Sequence, residues 1–176
     1  MKIDKVKTAV KIGSFRKTAS GLKLIEIDYV VDNSILKDES PRVYIFTSDD
    51  VIMKIGGSMA KGGIKGTMGP YLSSQQDSPS ASRYITHRLI REELDKDRAV
   101  DVYMINSTKV KAKVNGLFGS YEVAIAAFKE MEDACKQDYF KLEQKYPVWN
   151  FQENNEIYPE KHAKAWNAHH EKRLKK

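Results

Sequence analysis

Two short β-rich runs separated by three polar residues constrain the fold of this chain more than any other feature. The first run covers residues 43–47 (VYIFT), and the second covers residues 51–55 (VIMKI). β-branched and aromatic residues favour strands, and a polar connection at 48–50 has the length of a hairpin loop. The second run continues into residues 56–58 (GGS), where glycines let the chain turn sharply or approach another group closely. The pattern predicts an antiparallel β-hairpin.

The rest of the chain contains further strand and helix patterns. Strands are predicted at 22–31, 99–105 and 109–114, and the strand at 99–105 is expected to be central. Helices are predicted from Ser80 or Ser82 to about Leu94, from about 121 to 144, and at about 159–174. Four glycines and Pro70 argue against a long helix within 59–81. These patterns predict a small α/β or α+β domain with about three to five short strands.

Positive charge is concentrated at the two ends of the chain. Residues 1–23 carry seven Lys/Arg and one acid, and residues 159–176 carry six Lys/Arg and two acids. The ends sum to +10, and because the whole chain carries +6, the middle is about −4. Basic segments attract polyanions because each neutralised phosphate releases condensed counterions. The charge favours a nucleic-acid partner, although Lys-rich ends that only aid solubility remain the alternative.

Length and cysteine content exclude several classes of protein. A chain of 176 residues builds one domain with a core and a little decoration. The single cysteine, Cys135, forms no internal disulfide and leaves no Cys-rich metal site. No run is apolar enough to cross a membrane, and the start of the chain lacks a secretory signal. We therefore expect a cytosolic protein with no membrane partner.

A glutamate on the longest predicted helix is a candidate metal ligand. The helical row Phe128, Glu132, Cys135 and Tyr139 places the carboxylate of Glu132 at the edge of the inward-facing stripe. A carboxylate at the margin of a core is costly to desolvate unless a cation or hydrogen-bond donors lie nearby. Magnesium suits such a position because it needs few protein carboxylates. The alternative is a boundary glutamate that extends to solvent.

The hairpin carries a second pair of candidates. Tyr44 and Lys54 lie near the middle of the two runs. A tyrosine at the centre of a strand usually serves packing. A phenol beside cations loses its proton more readily, however, and can then act as a general base toward water.

The order of these pieces resembles the GIY-YIG endonuclease family. VYI at 43–45 stands where the family has its first motif, and KIG at 54–56 stands where it has the second. A Gly/Lys segment, a helix with Glu132 and then PVWN at 147–150 follow. The chain is similar to phage endonuclease II and to the type II restriction enzymes of this family. The resemblance covers residues 42–152, the predicted nuclease domain, and the charged ends form a basic N-terminal extension at 1–41 and a basic helical tail at 153–176.

The resemblance implies a fold and a mechanism. The fold would be α/β (α+β), with a central, mainly antiparallel three-stranded sheet flanked by helices. Tyr44 would be the general base, in a phenolate form that Lys54 steadies. Glu132 would bind one divalent metal, Mg²⁺ or Mn²⁺, which contacts the scissile phosphate. Asn150 would hold the site together by hydrogen bonds. The reaction would be the hydrolysis of phosphodiester bonds in double-stranded DNA.

The sequence departs from the family at one cation. The usual arginine after Ser58 is missing, and Lys65 occupies its place, with Tyr71 as the family's following tyrosine. Lysine supplies charge without the planar, two-pronged donor of arginine. Arg83 and His87 share a helix face at i and i+4 and could approach the phosphate instead. A surface Arg–His pair without function is the alternative.

These observations predict a metal-dependent endonuclease that acts as a restriction enzyme or as a phage DNA-degrading enzyme. The competing hypothesis is a catalytically impaired DNA-binding or adaptor protein on the same scaffold. The sequence leaves the oligomeric state open, a homo-oligomer included.

Overall fold

A computed structural model describes residues 1–18, 24–73, 80–106, 110–125 and 127–175. The strands in this part of the chain are β1 Val10–Lys17, β2 Ile25–Tyr29, β3 Arg42–Ser48, β4 Val51–Ser58, β5 Val100–Asn106, β6 Val110–Asn115 and β7 Ser120–Ile125. The α-helices are α1 Asn33–Leu36, α2 Gly63–Leu72, α3 Ala81–Asp95, α4 Phe128–Glu143 and α5 Glu160–Leu174. None of these helices is long and apolar enough to cross a membrane.

The main sheet has five strands instead of the predicted three. Its order is β2-β1-β5-β3-β4, and every neighbouring pair is antiparallel. The mixed α+β class is confirmed, and β5 is central as predicted. The two strands beyond the predicted three are β1 and β2. Strand β2 lies within the strand predicted at 22–31, whereas β1 was not predicted because its positive charge favoured a basic extension. In β1 the charged residues Lys11, Arg16 and Lys17 are exposed, whereas Ile12 and Phe15 are buried in the core.

The hairpin of β3 and β4 forms as predicted. Ser48 pairs with Val51, so the loop has two residues, one fewer than expected. Asp49 and Asp50 have φ values of 46° and 65°. Positive φ at both loop positions matches the twist of the flanking strands, and aspartate tolerates it better than most residues.

Three of the predicted helices are present, and one of them begins later than expected. Ser80 caps α3, with its Oγ accepting a hydrogen bond from the Arg83 backbone N–H at 3.5 Å. The helix predicted from residue 121 starts at Phe128, because Ser120–Ile125 pairs with β6 in a separate two-stranded sheet. The glycine-rich segment forms the ten-residue α2, with Pro70 inside it.

The main sheet is covered on both faces, and β3 is buried along its whole length. Tyr44 and Phe46 point into one core with Ile64 and Met68 of α2. Val43 and Ile45 face a second core that includes Tyr139 of α4. This alternation follows from the two-residue period of a strand. It directs Tyr44 toward α2 and α3.

Candidate active site

A polar cleft opens where the hairpin meets three helices. Tyr44 comes from β3, Lys54 from β4, Tyr71 from α2, Arg83 from α3, Glu132 from α4 and Asn150 from the segment after α4. Six of the eight predicted site residues therefore line one cleft. The tyrosine of the hairpin and the carboxylate of the long helix, which are far apart in sequence, share this cleft.

Tyr44 and Tyr71 form a buried pair at the base of the cleft. Their hydroxyl oxygens lie 2.6 Å apart and share a hydrogen bond. Gly56 is the cross-strand neighbour of Tyr44, and a Cβ at this position would collide with the Tyr44 hydroxyl. The glycine of the second motif is therefore required so that the phenol can lie against the backbone of β4.

The surroundings of Tyr44 oppose the phenolate that the resemblance implies. Burial raises its pKa well above the ordinary value, and the neighbouring Tyr71 and Glu132 raise it further. Arg83 is the cation that acts in the opposite direction. Tyr44 is therefore a neutral phenol in the free protein at neutral pH, since desolvation disfavours the charged form.

Lys54 is buried beneath the cleft. Its Nζ donates to the backbone carbonyl of Trp149 at 3.4 Å, and its side chain is 7% exposed. Burial lowers the pKa of Lys54 to about 8, while Glu153 and Glu132 favour the charged form. Lys54 thus supplies a positive charge under the cleft at neutral pH, and it binds the polypeptide backbone where a contact with the Tyr44 hydroxyl had been expected.

Glu132 lies one turn into α4 and takes part in a cluster of charges. Its Oε1 is 2.5 Å from Nζ of Lys136, which also contacts Oε1 of Glu153. A Cβ at Gly57 would lie 2.5 Å from Glu132 Oε2, so this glycine leaves room for the carboxylate. Lys136 and Glu153 were not among the predicted residues. The i to i+4 spacing of Glu132 and Lys136 was a readable signal, but Glu153 lies in a segment without a periodic pattern.

The donor set of this cluster fits a hard divalent cation. Glu132 and Glu153 direct carboxylate oxygens toward one positive charge, the Lys136 ammonium. No group of three or more His, Cys, Asp or Glu residues is assembled in the described residues. Magnesium is held by one or two carboxylates and keeps several waters, and the two carboxylates that Lys136 bridges are ligands of the type it binds.

Asn150 joins the segment after α4 to the hairpin. Its Oδ1 accepts from the Ile55 N–H at 2.9 Å, and its Nδ2 donates to the Ile55 carbonyl at 2.9 Å. Nδ2 also lies 3.2 Å from Glu153 Oε1. The amide satisfies both backbone groups of one β4 residue, as a neighbouring strand would. Asn150 thereby fixes the positions of Glu153 and of the β4 edge of the cleft.

Lys65 and His87 do not line the cleft. Lys65 is exposed on α2, and its Nζ lies 5.9 Å from the centre of the Tyr29 ring. His87 is fully buried, and its Nδ1 lies 2.7 Å from the Tyr71 carbonyl oxygen. Burial lowers the pKa of His87 and favours its neutral form. Of the predicted substitutes for the missing arginine, only Arg83, on the first turn of α3, reaches the cleft.

The fold is similar to those of two nucleases of known structure. A mutant of bacteriophage T4 EndoII is 16% identical, with 84% of this chain and 95% of that chain covered at a TM-score of 0.56. Restriction endonuclease Hpy188I in complex with product DNA is 19% identical, with 83% of this chain and 82% of that chain covered at a TM-score of 0.50. No protein-family description and no curated protein matches the sequence. The predicted resemblance to these nucleases is confirmed at the level of fold.

Proposed function

We propose that this protein is an endonuclease of the GIY-YIG type, which hydrolyses phosphodiester bonds of double-stranded DNA with Mg²⁺ or Mn²⁺. The observation that carries the proposal is the convergence of Tyr44, Arg83 and Glu132 in one cleft. These are a phenol, an exposed guanidinium and a carboxylate, which can position water, bind a phosphate and hold a metal ion. Both nucleases of similar fold support the same activity.

The guanidinium of Arg83 is the group best suited to receive the scissile phosphate. It is exposed in the cleft, and arginine presents paired donors that match two phosphate oxygens. Lys54 adds a fixed positive charge from below. Together they stabilise the negative charge that builds on the phosphate as water attacks.

Tyr44 positions the attacking water in this proposal. Its hydroxyl would accept a hydrogen bond from water, and it shares a hydrogen bond with the Tyr71 hydroxyl, in which either oxygen can be the donor. Burial raises the pKa of both tyrosines, and the nearby Arg83 opposes that rise. The cation that binds the phosphate therefore also favours the phenolate of Tyr44, which would take the proton of the attacking water while the new P–O bond forms and the P–O bond to the leaving oxygen breaks.

Glu132 would hold the metal ion, with Glu153 as the neighbouring carboxylate. When bound, the metal neutralises charge on the leaving oxygen. Asn150 keeps Glu153 in place, and Gly57 keeps space open for the Glu132 carboxylate. Lys136 holds the two carboxylates together in the free protein.

Digestion of plasmid and phage DNA tests the proposal. The protein in Mg²⁺ should cut duplex DNA, and Glu132→Ala should lower the rate by about 10²–10³-fold with little change in DNA affinity. Asp133→Ala is the matched control, because Asp133 is the adjacent acid and is exposed. Equal rates for the two variants would refute the role of Glu132. Mapping of the cut ends would distinguish a restriction enzyme from a broadly degrading phage enzyme.

The second candidate is a DNA-binding or adaptor protein with impaired catalysis. Two observations favour it: burial raises the Tyr44 pKa, and Lys136 already neutralises Glu132. Tight binding of duplex DNA without cleavage in Mg²⁺ or Mn²⁺, from pH 6 up to the ordinary tyrosine pKa of about 10, would support this candidate. Comparison of the cleavage of duplex RNA with that of duplex DNA, in parallel assays, shows which of the two is the substrate.

A further inference from the structure

The strands β6 and β7 form a two-stranded ribbon separate from the main sheet. Each strand has six residues, and the antiparallel pairing runs from Val110 opposite Ile125 to Asn115 opposite Ser120. A strand rises about 3.4 Å per residue, so the ribbon extends about 20 Å. Gly116 lets the loop close against the Tyr121 ring, because a Cβ there would lie 2.6 Å from that ring.

The ribbon exposes large apolar side chains. Leu117 and Phe118, at its tip, are each 94% exposed. Val114, Tyr121 and Val123 are 39%, 53% and 37% exposed. A two-stranded ribbon is marginal by itself in water, and contiguous exposed apolar surface marks an interaction site.

The elements that precede and follow the ribbon lead to the cleft. The preceding strand, β5, ends at Asn106, which pairs with Arg42. The following helix, α4, begins at Phe128, whose carbonyl would lie 2.8 Å from a Cβ at Gly57. Glu132 comes one helical turn later. The chain therefore leaves the main sheet where β5 pairs with Arg42 and continues after the ribbon into α4, the helix that carries Glu132.

The charge of the ribbon suits a polyanion. Lys111 and Lys113 lie on one face, opposite Ala124 and Glu122, and Ala112, Val114, Tyr121 and Val123 lie on the other. Lys111 and Glu122 are 3.3 Å apart and each 66% exposed, so this pair is weak in water. The two lysines outnumber the single acid within the described ribbon, and the whole chain carries +6.

We propose that the ribbon enters a groove of duplex DNA next to the cleft and that Leu117 and Phe118 wedge between stacked bases. This inference rests on the proposed nuclease function and names how the substrate is held. A two-stranded ribbon fits a DNA groove, and apolar wedges of Leu and Phe unstack base steps and bend the duplex. The lysines contact phosphates, and the wedge presents a deformed backbone to Arg83.

Plasmid unwinding measures the wedge without knowledge of the recognition sequence. A relaxed plasmid is incubated with protein and a metal-independent type IB topoisomerase in EDTA, which suppresses metal-dependent cleavage. If the bound protein unstacks bases, the duplex is locally unwound while the topoisomerase relaxes the plasmid. The linking number then differs from that of the protein-free control once the protein is removed. The unaltered protein should cause this shift, and the double variant Leu117→Ala/Phe118→Ala should lose most of it. DNA affinity should fall about tenfold, as expected for the loss of base stacking.

Two matched variants separate the wedge from general effects. Ile157→Ala removes a side chain that is 91% exposed outside the ribbon, and it should leave the shift and the affinity unchanged. Lys111→Ala/Lys113→Ala should make the plot of log affinity against log salt concentration less steep, by the amount expected for the loss of about two phosphate contacts. At saturating protein this lysine variant should retain the unwinding.

Each outcome decides between distinct explanations. An unwinding shift that persists in Leu117→Ala/Phe118→Ala overturns the wedge. A protein that cleaves DNA but never unwinds it overturns the wedge and leaves the nuclease function intact. A protein that neither binds nor cuts DNA overturns both. If sedimentation without DNA shows a dimer that the double variant breaks, the apolar tip contacts a second copy and the inference is wrong.

Discussion

The cleft and the ribbon depart from the usual distribution of residues in opposite directions. In the cleft, Tyr44, Lys54 and Asn150 are polar groups that are buried at 8%, 7% and 3% exposure. In the ribbon, Leu117 and Phe118 are apolar groups that are almost fully exposed. Most soluble folds bury the second kind and expose the first.

The difference indicates two kinds of functional surface. The cleft is rigid, because its polar atoms bond to the backbone of β4 and to one another, and a fixed geometry serves catalysis. At the ribbon tip, Gly116 donates to the Gly119 carbonyl and Ser120 to the Asn115 side chain, but Leu117 and Phe118 are almost fully exposed, so their burial contributes little free energy to folding. The ribbon would gain that free energy on binding, which suits a surface that contacts a partner.

The largest expected effect concerns the cation of the cleft. Arg83→Ala should lower kcat/KM for DNA cleavage by about 10²-fold or more, because it removes a donor to the phosphate. Lys65→Ala should leave the rate close to that of the unaltered protein, since Lys65 lies outside the cleft. Steady-state cleavage of one mapped site measures both. A large loss of kcat/KM in Lys65→Ala, with a normal value in Arg83→Ala, would show that Lys65 and not Arg83 contacts the phosphate.

A smaller effect tests whether the burial of the charged Lys54 side chain lowers the free energy of unfolding. Lys54→Met should raise the free energy of unfolding by about 2 kcal/mol at pH 7, because it removes a desolvated charge. The pKa of Lys54 is about 8 in the folded state against an ordinary 10.5. Below pH 8 the folded protein bears this cost in full, and the cost disappears as pH rises from 8 to 10.5.

Urea unfolding at pH 7 and at pH 10.5 measures this difference. The gain from Lys54→Met should shrink at the higher pH, while cleavage should be lost at both. A variant that is less stable than the unaltered protein at pH 7 would show that Lys54 stabilises the fold through Glu153 and Glu132.

The smallest expected effect concerns the ribbon tip. Leu117→Ser/Phe118→Ser should change the free energy of unfolding by less than about 0.5 kcal/mol, as exposed positions do. Phe46→Ala, at a fully buried position in β3, should cost about 3–5 kcal/mol. Thermal unfolding of both variants measures the contrast. A destabilisation by the serine variant as large as that of Phe46→Ala would show that the tip packs against the body.

Local patterns were sufficient for the elements with a strong periodic signal. The hairpin of β3 and β4, the Ser80-capped helix α3 and the terminal helix α5 were predicted because their signals lie within a few neighbouring residues. Strand β1 was missed because its lysines suggested a solvated arm. The start of α4 was predicted too early. The apolar residues of Ser120–Ile125 fit both the two-residue period of a strand and the 3.6-residue period of a helix, because the segment is short.

The sequence by itself determined which residue types were available for the cleft, and the order of its motifs indicated the nuclease fold. Only the tertiary structure decided which of them meet. It selected Arg83 over Lys65, buried His87 beneath Tyr71, and added Lys136 and Glu153 to Glu132. The physical reason is that side-chain identity and helix period are local properties. The direction in which a side chain points across a cleft depends instead on how β3, β4 and three helices pack together.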